Sequence, residues 1–269
     1  MAEEARIGRS GEELLVNLIN TDELFSTRFS ECLKGGLEIN VVGKIRAIRA
    51  KGMRKTDVII LDERGQRIGI SLKTRRRSRP DDHLDRRWLD EWRATLNMSE
   101  NVYGAFWQGI MRKAVNKRAD LIPEGDRPLV ESFLKSNLDK ILEEAFRGGE
   151  SGLHLFAIVE YGEKSTLYVF RLDDVINFIK RDIASNGINF RGVIYLGRFL
   201  WIQRKAGDSK EIDRRLPKTH PRHPGNQLQI KILPLLLKDE AIRELKYCEL
   251  ELPYRSMGIR RGGTLKKFL

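Results

Sequence analysis

Apolar side chains recur at helical spacing between residues 10 and 25, where Leu14, Leu15, Leu18 and Ile19 form one stripe. That periodicity predicts an amphipathic helix. Ser10 stands where a cap would, and Glu13, three residues on, completes a capping box. After "KGGLEIN" the period falls to two, and "NVVGKIRAIRA", "TDVIIL" and "RIGISLKT" predict short strands. The last two flank "DERGQ", a compact polar hairpin loop with a glycine. From Asp82 to about Phe146 the pattern is helical, in "DHLDRRWLDEWRATL", "NVYGAFWQGIMRKAVNKRA" and "PLVESFLKSNLDKILEEAF". Strands return at "LHLFAIVEYG" and "STLYVFRL", followed by a helix, "DDVINFIKRDI". The last third offers "RGVIYLGRFLWIQRKAG", a basic loop with "LPKTHPRHPGN", then "QLQIKILPLLL". This order predicts an α/β fold, a mixed β-sheet flanked by helices with a helical insertion. We expect one domain over 1–269, with a helical subdomain at about 82–146 and a separate strand region at about 190–235.

Charge narrows the partners. Lys+Arg 50 against Asp+Glu 38 leaves a net charge of +12, with a pI near 9.8. Such an excess points to a polyanion, with nucleic acid ahead of an acidic membrane. No apolar run approaches the roughly 20 residues of a membrane span. The acidic start, "MAEEARIGRSGEELL", lacks the apolar core of a signal peptide. A soluble, cytoplasmic protein is expected. Cys32 and Cys248 lie far apart without CxxC spacing, which argues against a disulfide framework and a zinc site. His220 and His223 form an HxxH in a Pro-rich loop with no matching ligands, a weak metal signal. No Walker-type glycine loop, H-x-E…CxxC or G-x-S-x-G is present, which argues against the NTPase, deaminase and hydrolase-elbow classes.

Strand alternation puts Asp57, Ile59 and Leu61 on one side of their strand, and Ser71 and Lys73 on one side of the next. A short hairpin brings Asp57 and Lys73 toward one end of the pair. Phosphodiester hydrolysis uses such a convergence: carboxylates hold Mg²⁺, and a fixed ammonium orients water or steadies developing charge. The plain alternative is a solvated hairpin with a charge at each end. The order helix with Glu, strand, "TDVII" strand, "ISLKT" strand and basic segment resembles the PD-(D/E)xK nuclease superfamily, especially type II restriction endonucleases. The resemblance spans residues 8 to about 95. It implies that Asp57 binds Mg²⁺ and that Lys73 is catalytic. The family's first-helix glutamate maps to Glu12, which edges the apolar stripe above Val16 and Ile19 and shares the G-x-x-x-E spacing with Gly8. Thr56 replaces the motif's proline, and Ser71 stands where a second acid is usual. In S-x-K members the missing carboxylate comes from the following helix, which offers Asp82, Asp85, Asp90 and Glu91.

The resemblance also implies double-stranded DNA as partner, sequence-specific cleavage and a homodimer that mirrors palindromic DNA. "KTRRRSRP" places Arg75, Arg76, Arg77 and Arg79 directly after Lys73, where a phosphate backbone would lie. "WIQRKAGD" and "NQLQIKIL" carry Gln203/Lys205 and Gln229/Lys231, which rival the first site. They are similar to a late block of several restriction endonucleases, "QRK-G-D…Q-Q-K", and read as strands carrying Arg204, Lys205 and Lys231 to DNA, with Arg204 and Arg222 as base readers. Trp88 and Trp92 share a helix face at i, i+4 and read as core packing. Two other readings fit: a junction resolvase or transposon-end nuclease of the same fold, and a DNA-binding protein that lost catalysis at Ser71.

Overall fold

Two sheets account for the strand patterns. The computed structural model describes residues 3–52, 55–75, 78, 81–161, 164–206 and 215–253, with side chains from Arg9 onward. It divides into two compact units, one of Met1–Pro80, Gly152–Leu172 and Ile242–Leu269, the other of Asp81–Ser151 and Asp173–Ala241.

In the first unit β1 (Arg46–Arg49), β2 (Val58–Leu61), β3 (Arg67–Arg75), β5 (Leu153–Glu160), β6 (Ser165–Arg171) and β11 (Tyr247–Leu252) lie side by side in that order. Only β3 and β5 run parallel. Parallel neighbours need a long connection, and here it runs through the whole of Asp81–Ser151. The β2–β3 turn is organised by Asp62, whose carboxylate accepts from Arg64 N at 3.0 Å and Gln66 N at 2.8 Å.

Helix α1 (Glu3–Thr21) is longer than the apolar stripe suggested. The polar start "EEAR" continues the helix, so Ser10 lies inside it and caps nothing. Glu13 correspondingly serves no capping box; its carboxylate lies 3.4 Å from Arg49 Nη1. Asp22 breaks the chain and caps α2 (Glu23–Glu31), accepting from Phe25 N at 3.0 Å. Leu14, Leu15, Leu18 and Ile19 pack with Ile68, Ile70, Leu72, Leu155 and Val159 in one core, each contributing roughly 1.5–3 kcal/mol by leaving water. Cys32 and Cys248, expected to stay apart, form a disulfide with Cα atoms 5.7 Å apart. The fold closes the distance in sequence by setting the turn after α2 against the edge strand β11.

The second unit holds an antiparallel sheet in the order β4 (Asp82–Arg87), β10 (Leu228–Ile232), β9 (Leu200–Arg204), β8 (Val193–Leu196) and β7 (Ile188–Arg191). The helix expected from Asp82 is thus a strand up to Arg87, because pairing with β10 overrides local propensity. Helix α3 begins only at Leu89 (Leu89–Leu96), followed by α4 (Glu100–Val115), α5 (Arg127–Ser136) and α6 (Leu138–Phe146). Helices α7 (Leu172–Asn186) and α8 (Pro234–Ala241) complete the order. Ile202, Leu228 and Ile230 of the sheet meet Trp92, Leu96, Phe106, Leu134 and Ile141 around one small apolar cavity. Trp88 precedes α3, so it shares no helix face with Trp92, which is buried beneath the Arg87 guanidinium at 4.5 Å. Among the described residues no helix is long and apolar enough to cross a membrane.

Candidate active site

The hairpin fixes Asp57 from several directions. Val58 pairs with Ile70, and just beyond this pair Asp57 N donates to Ile70 O at 2.8 Å while Asp57 O accepts from Ala50 N at 3.0 Å. The strands then separate, and Asp57 Oδ2 accepts from Leu72 N at 2.7 Å. Asp57 therefore sits against the Ser71–Leu72–Lys73 stretch, and alternation turns it to the side of Ser71 and Lys73 rather than to the α1 core. Ser71 is buried. Lys73 is partly exposed and lies beside Ile158 of β5.

Glu12 arrives from α1. Arg49, the last residue of β1, donates from Nε to Glu12 Oε2 at 2.8 Å. Burial first, and then the neighbouring charge of Asp57, push the Glu12 carboxyl above its ordinary range, although Arg49 pulls the other way. Two carboxylates from distant parts of the chain thus share one corner of the first unit. Arg49 escaped the sequence reading; its signal was the Arg46/Arg49 pair at the end of the "KIRAIRA" strand.

The donor set at this corner is all oxygen and doubly acidic, with a lysine two residues from Ser71. Among the described residues no group of three or more His, Cys, Asp or Glu is close enough to hold a metal ion. The acids expected to replace a ligand at Ser71 all belong to the second unit, where each has a bond of its own. Asp82 accepts from His83 N at 2.6 Å, and Asp85 is buried in an ion pair with Arg87 at 2.8 Å. Asp90 accepts from Tyr103 Oη at 2.7 Å, while Glu91 accepts from Trp88 N at 2.6 Å at the start of α3.

Of the basic run, Arg75 ends β3 and donates to Thr74 O at 2.8 Å; Arg76, Arg77 and Arg79 lie outside the described residues. On the second sheet Gln229 faces Gln203 and Lys231 faces Trp201. Trp201 Nε1 donates to Gln203 Oε1 at 2.8 Å and Gln203 Nε2 to Gln229 Oε1 at 3.3 Å. Lys231 pairs with Asp81 and lies 5.8 Å from the Trp201 ring. Lys205 follows β9 and is half-buried, its N donating to Gln227 O at 2.8 Å. Arg204, expected as a base reader, instead points to the opposite side with Ile202. It is buried, with Nε donating to Asn226 Oδ1 at 2.8 Å. Arg222 lies 5.9 Å over the Trp88 ring. His223 is buried, and its Nδ1 accepts from Gly225 N at 3.0 Å, a turn contact.

No protein-family model and no curated protein matches the sequence. Among solved structures the chain is similar to restriction endonuclease MspI in complex with its cognate DNA, with a TM-score of 0.52 at 13% identity, over 85% of this chain and 90% of that one. At that identity the likeness speaks for the fold, which is a restriction-endonuclease-like arrangement of a mixed sheet flanked by helices.

Proposed function

We propose that this protein is a Mg²⁺-dependent endonuclease of the type II restriction class, cutting both strands of DNA at a specific sequence. The observation that carries the proposal is Asp57 bonded to Leu72 N between Ser71 and Lys73, with the Arg49-held Glu12 carboxylate near enough to feel its charge, on a fold like that of a protein solved with its cognate DNA. The net charge of +12 supports a polyanionic substrate. Mg²⁺ takes oxygen ligands and commonly binds through only one or two carboxylates plus substrate phosphates and waters. Glu12 and Asp57 fit that demand without a third acid.

In this reading Asp57 and Glu12 hold the cation, which when bound neutralises the phosphate and acidifies a water. Lys73 orients the attacking water and offsets negative charge as it builds on the phosphorus oxygens. Asp57 is pinned by its backbone and by Leu72 N, so it needs little reorganisation on binding substrate. Arg49 sets the direction of the Glu12 carboxylate. Arg75 and the arginines after it contact phosphates, and the partly exposed Trp201 and Gln203, with Lys231 and Lys205 and over the buried Gln229, face the duplex. The working form is a homodimer.

The test is plasmid and linear duplex DNA incubated with Mg²⁺ and wild type, Asp57→Ala or Lys73→Ala. Discrete fragments from wild type alone support the proposal. No fragments from wild type refute the restriction reading, a strict preference for branched DNA replaces it with a resolvase, and normal cutting by Lys73→Ala refutes the site.

A further inference from the structure

Glu12 can serve a site built on β2 and β3 only if α1 holds a fixed height above the sheet. Residues 11, 14, 15, 18 and 19 follow the spacing of one helix face, and the last four are the buried Leu14, Leu15, Leu18 and Ile19. The first is Gly11. Large side chains therefore space the later turns of α1 from the sheet, whereas at Gly11 the helix backbone itself comes down onto β3. A methyl group there would collide with Thr74 Oγ1 and stand only 3.2 Å from Thr74 Cβ and 3.4 Å from Cγ2. Thr74 is 2% exposed, and a β-branched side chain so confined has little rotamer freedom. Glycine inside a helix costs about 1 kcal/mol relative to alanine, so close approach is the physical reason that fits it here. Thr74 also adjoins Lys73, just as Gly11 adjoins Glu12.

We propose that Gly11 and Thr74 are positioning residues, a joint without spacer atoms that sets α1 against β3 and so brings the Glu12 carboxylate to Asp57. The inference rests on the reading of Glu12 and Asp57 as the metal-binding pair. Adding a methyl at Gly11 lifts that end of α1 by a distance on the order of 1 Å, a misplacement that costs about 100-fold in rate. Removing the Thr74 hydroxyl and methyl removes the collision and leaves only the 3.2 Å approach to Thr74 Cβ, which a shift of a few tenths of an ångström relieves.

The experiment compares wild type, Gly11→Ala, Thr74→Ala and the Gly11→Ala/Thr74→Ala double variant. Folding is checked by circular dichroism, DNA affinity in Ca²⁺ by anisotropy, Mg²⁺ affinity by calorimetry and single-turnover cleavage in Mg²⁺. Gly11→Ala should keep its DNA affinity while cleavage falls about 100-fold and Mg²⁺ binds more weakly, with the double variant recovering both. Cleavage by Gly11→Ala near the wild-type rate overturns the proposal, as does a double variant that folds yet cuts no faster than Gly11→Ala. If wild type does not cut at all, the nuclease reading fails by itself. The joint is then judged by Mg²⁺ affinity, and no loss in Gly11→Ala overturns it.

Discussion

Asp57 holds two jobs that substitution can separate: its carboxylate closes the end of the β2–β3 ladder, and in the proposed function it binds Mg²⁺. Asp57→Ala removes both. The 2.7 Å bond from Leu72 N has a charged acceptor, and its loss costs about 1.5–3 kcal/mol. At about 2–4 °C per kcal/mol for a chain of this size, Tm falls by about 3–12 °C. Asp57→Asn keeps an amide oxygen that can accept from Leu72 N and removes the like charge beside Glu12. Its stability should therefore lie within about 1 kcal/mol of wild type, in the ordinary range for a neutral hydrogen bond. Both variants lose the charge that holds the cation, so cleavage should drop at least about 100-fold in each. Thermal melts in EDTA and timed digests in Mg²⁺ read the two jobs separately. Equal destabilisation by Asn and Ala would refute the role of the side chain as ladder cap. An Asp57→Asn enzyme that cuts at the wild-type rate would leave Asp57 a strand-end cap and nothing more.

The remaining expectations follow from the same geometry. Glu12 has a native pKa above its ordinary value, so the native state binds more protons in the window between the two, and this contribution is present at acid pH and lost as pH rises through the native value. In EDTA, Glu12→Gln should therefore gain on wild type in urea-melt stability as pH climbs toward neutral, while losing cleavage; a gain that shrinks with pH contradicts the burial argument. Lys113 donates to Ala119 O at 2.7 Å, Gly192 O at 2.8 Å and Lys117 O at 3.2 Å, so Lys113→Met should cost about 2–4 kcal/mol in a denaturant melt, given about 1.5–3 kcal/mol per charged bond less the relief of desolvation. Lys231→Ala should lower DNA affinity and reduce the salt slope by about 1; Arg204→Ala should instead lower Tm, because it removes a buried bond to Asn226. Cys248→Ser opens a loop spanning a sequence separation of 216 and should cost about 2–4 kcal/mol with cleavage at 25 °C unchanged, and a reductant should lower the Tm of wild type but not of this variant.

What the sequence makes readable here is short in range. Alternation over a few residues places Asp57 on the side of Ser71 and Lys73, and the Val58–Ile70 register agrees. The same parity rule separates Arg204, in step with Ile202, from Gln203, so the strand pattern alone puts Arg204 on the buried face despite its charge. Other features depend on partners far along the chain. "DHLDRRW" carries charges and apolar residues at spacings that suit a helix, and only β10 makes it a strand. Of the four acids expected to replace the ligand at Ser71, Asp82 and Asp85 therefore stand on a strand, and Asp90 and Glu91 on the helix that begins at Leu89. Asp85 is held by Arg87, Asp90 by Tyr103 and Glu91 by the start of α3, so recruiting any of them breaks a bond within the second unit. Ser71 itself is 4% exposed, and an unpaired carboxylate buried there would be costly. The hydroxyl is then what the position tolerates, and the second acid is better sought across the corner, where Glu12 stands half-buried and opposed by Arg49. In the proposed function the second carboxylate therefore comes from α1 rather than from β3, with the proposed Gly11–Thr74 joint setting its reach.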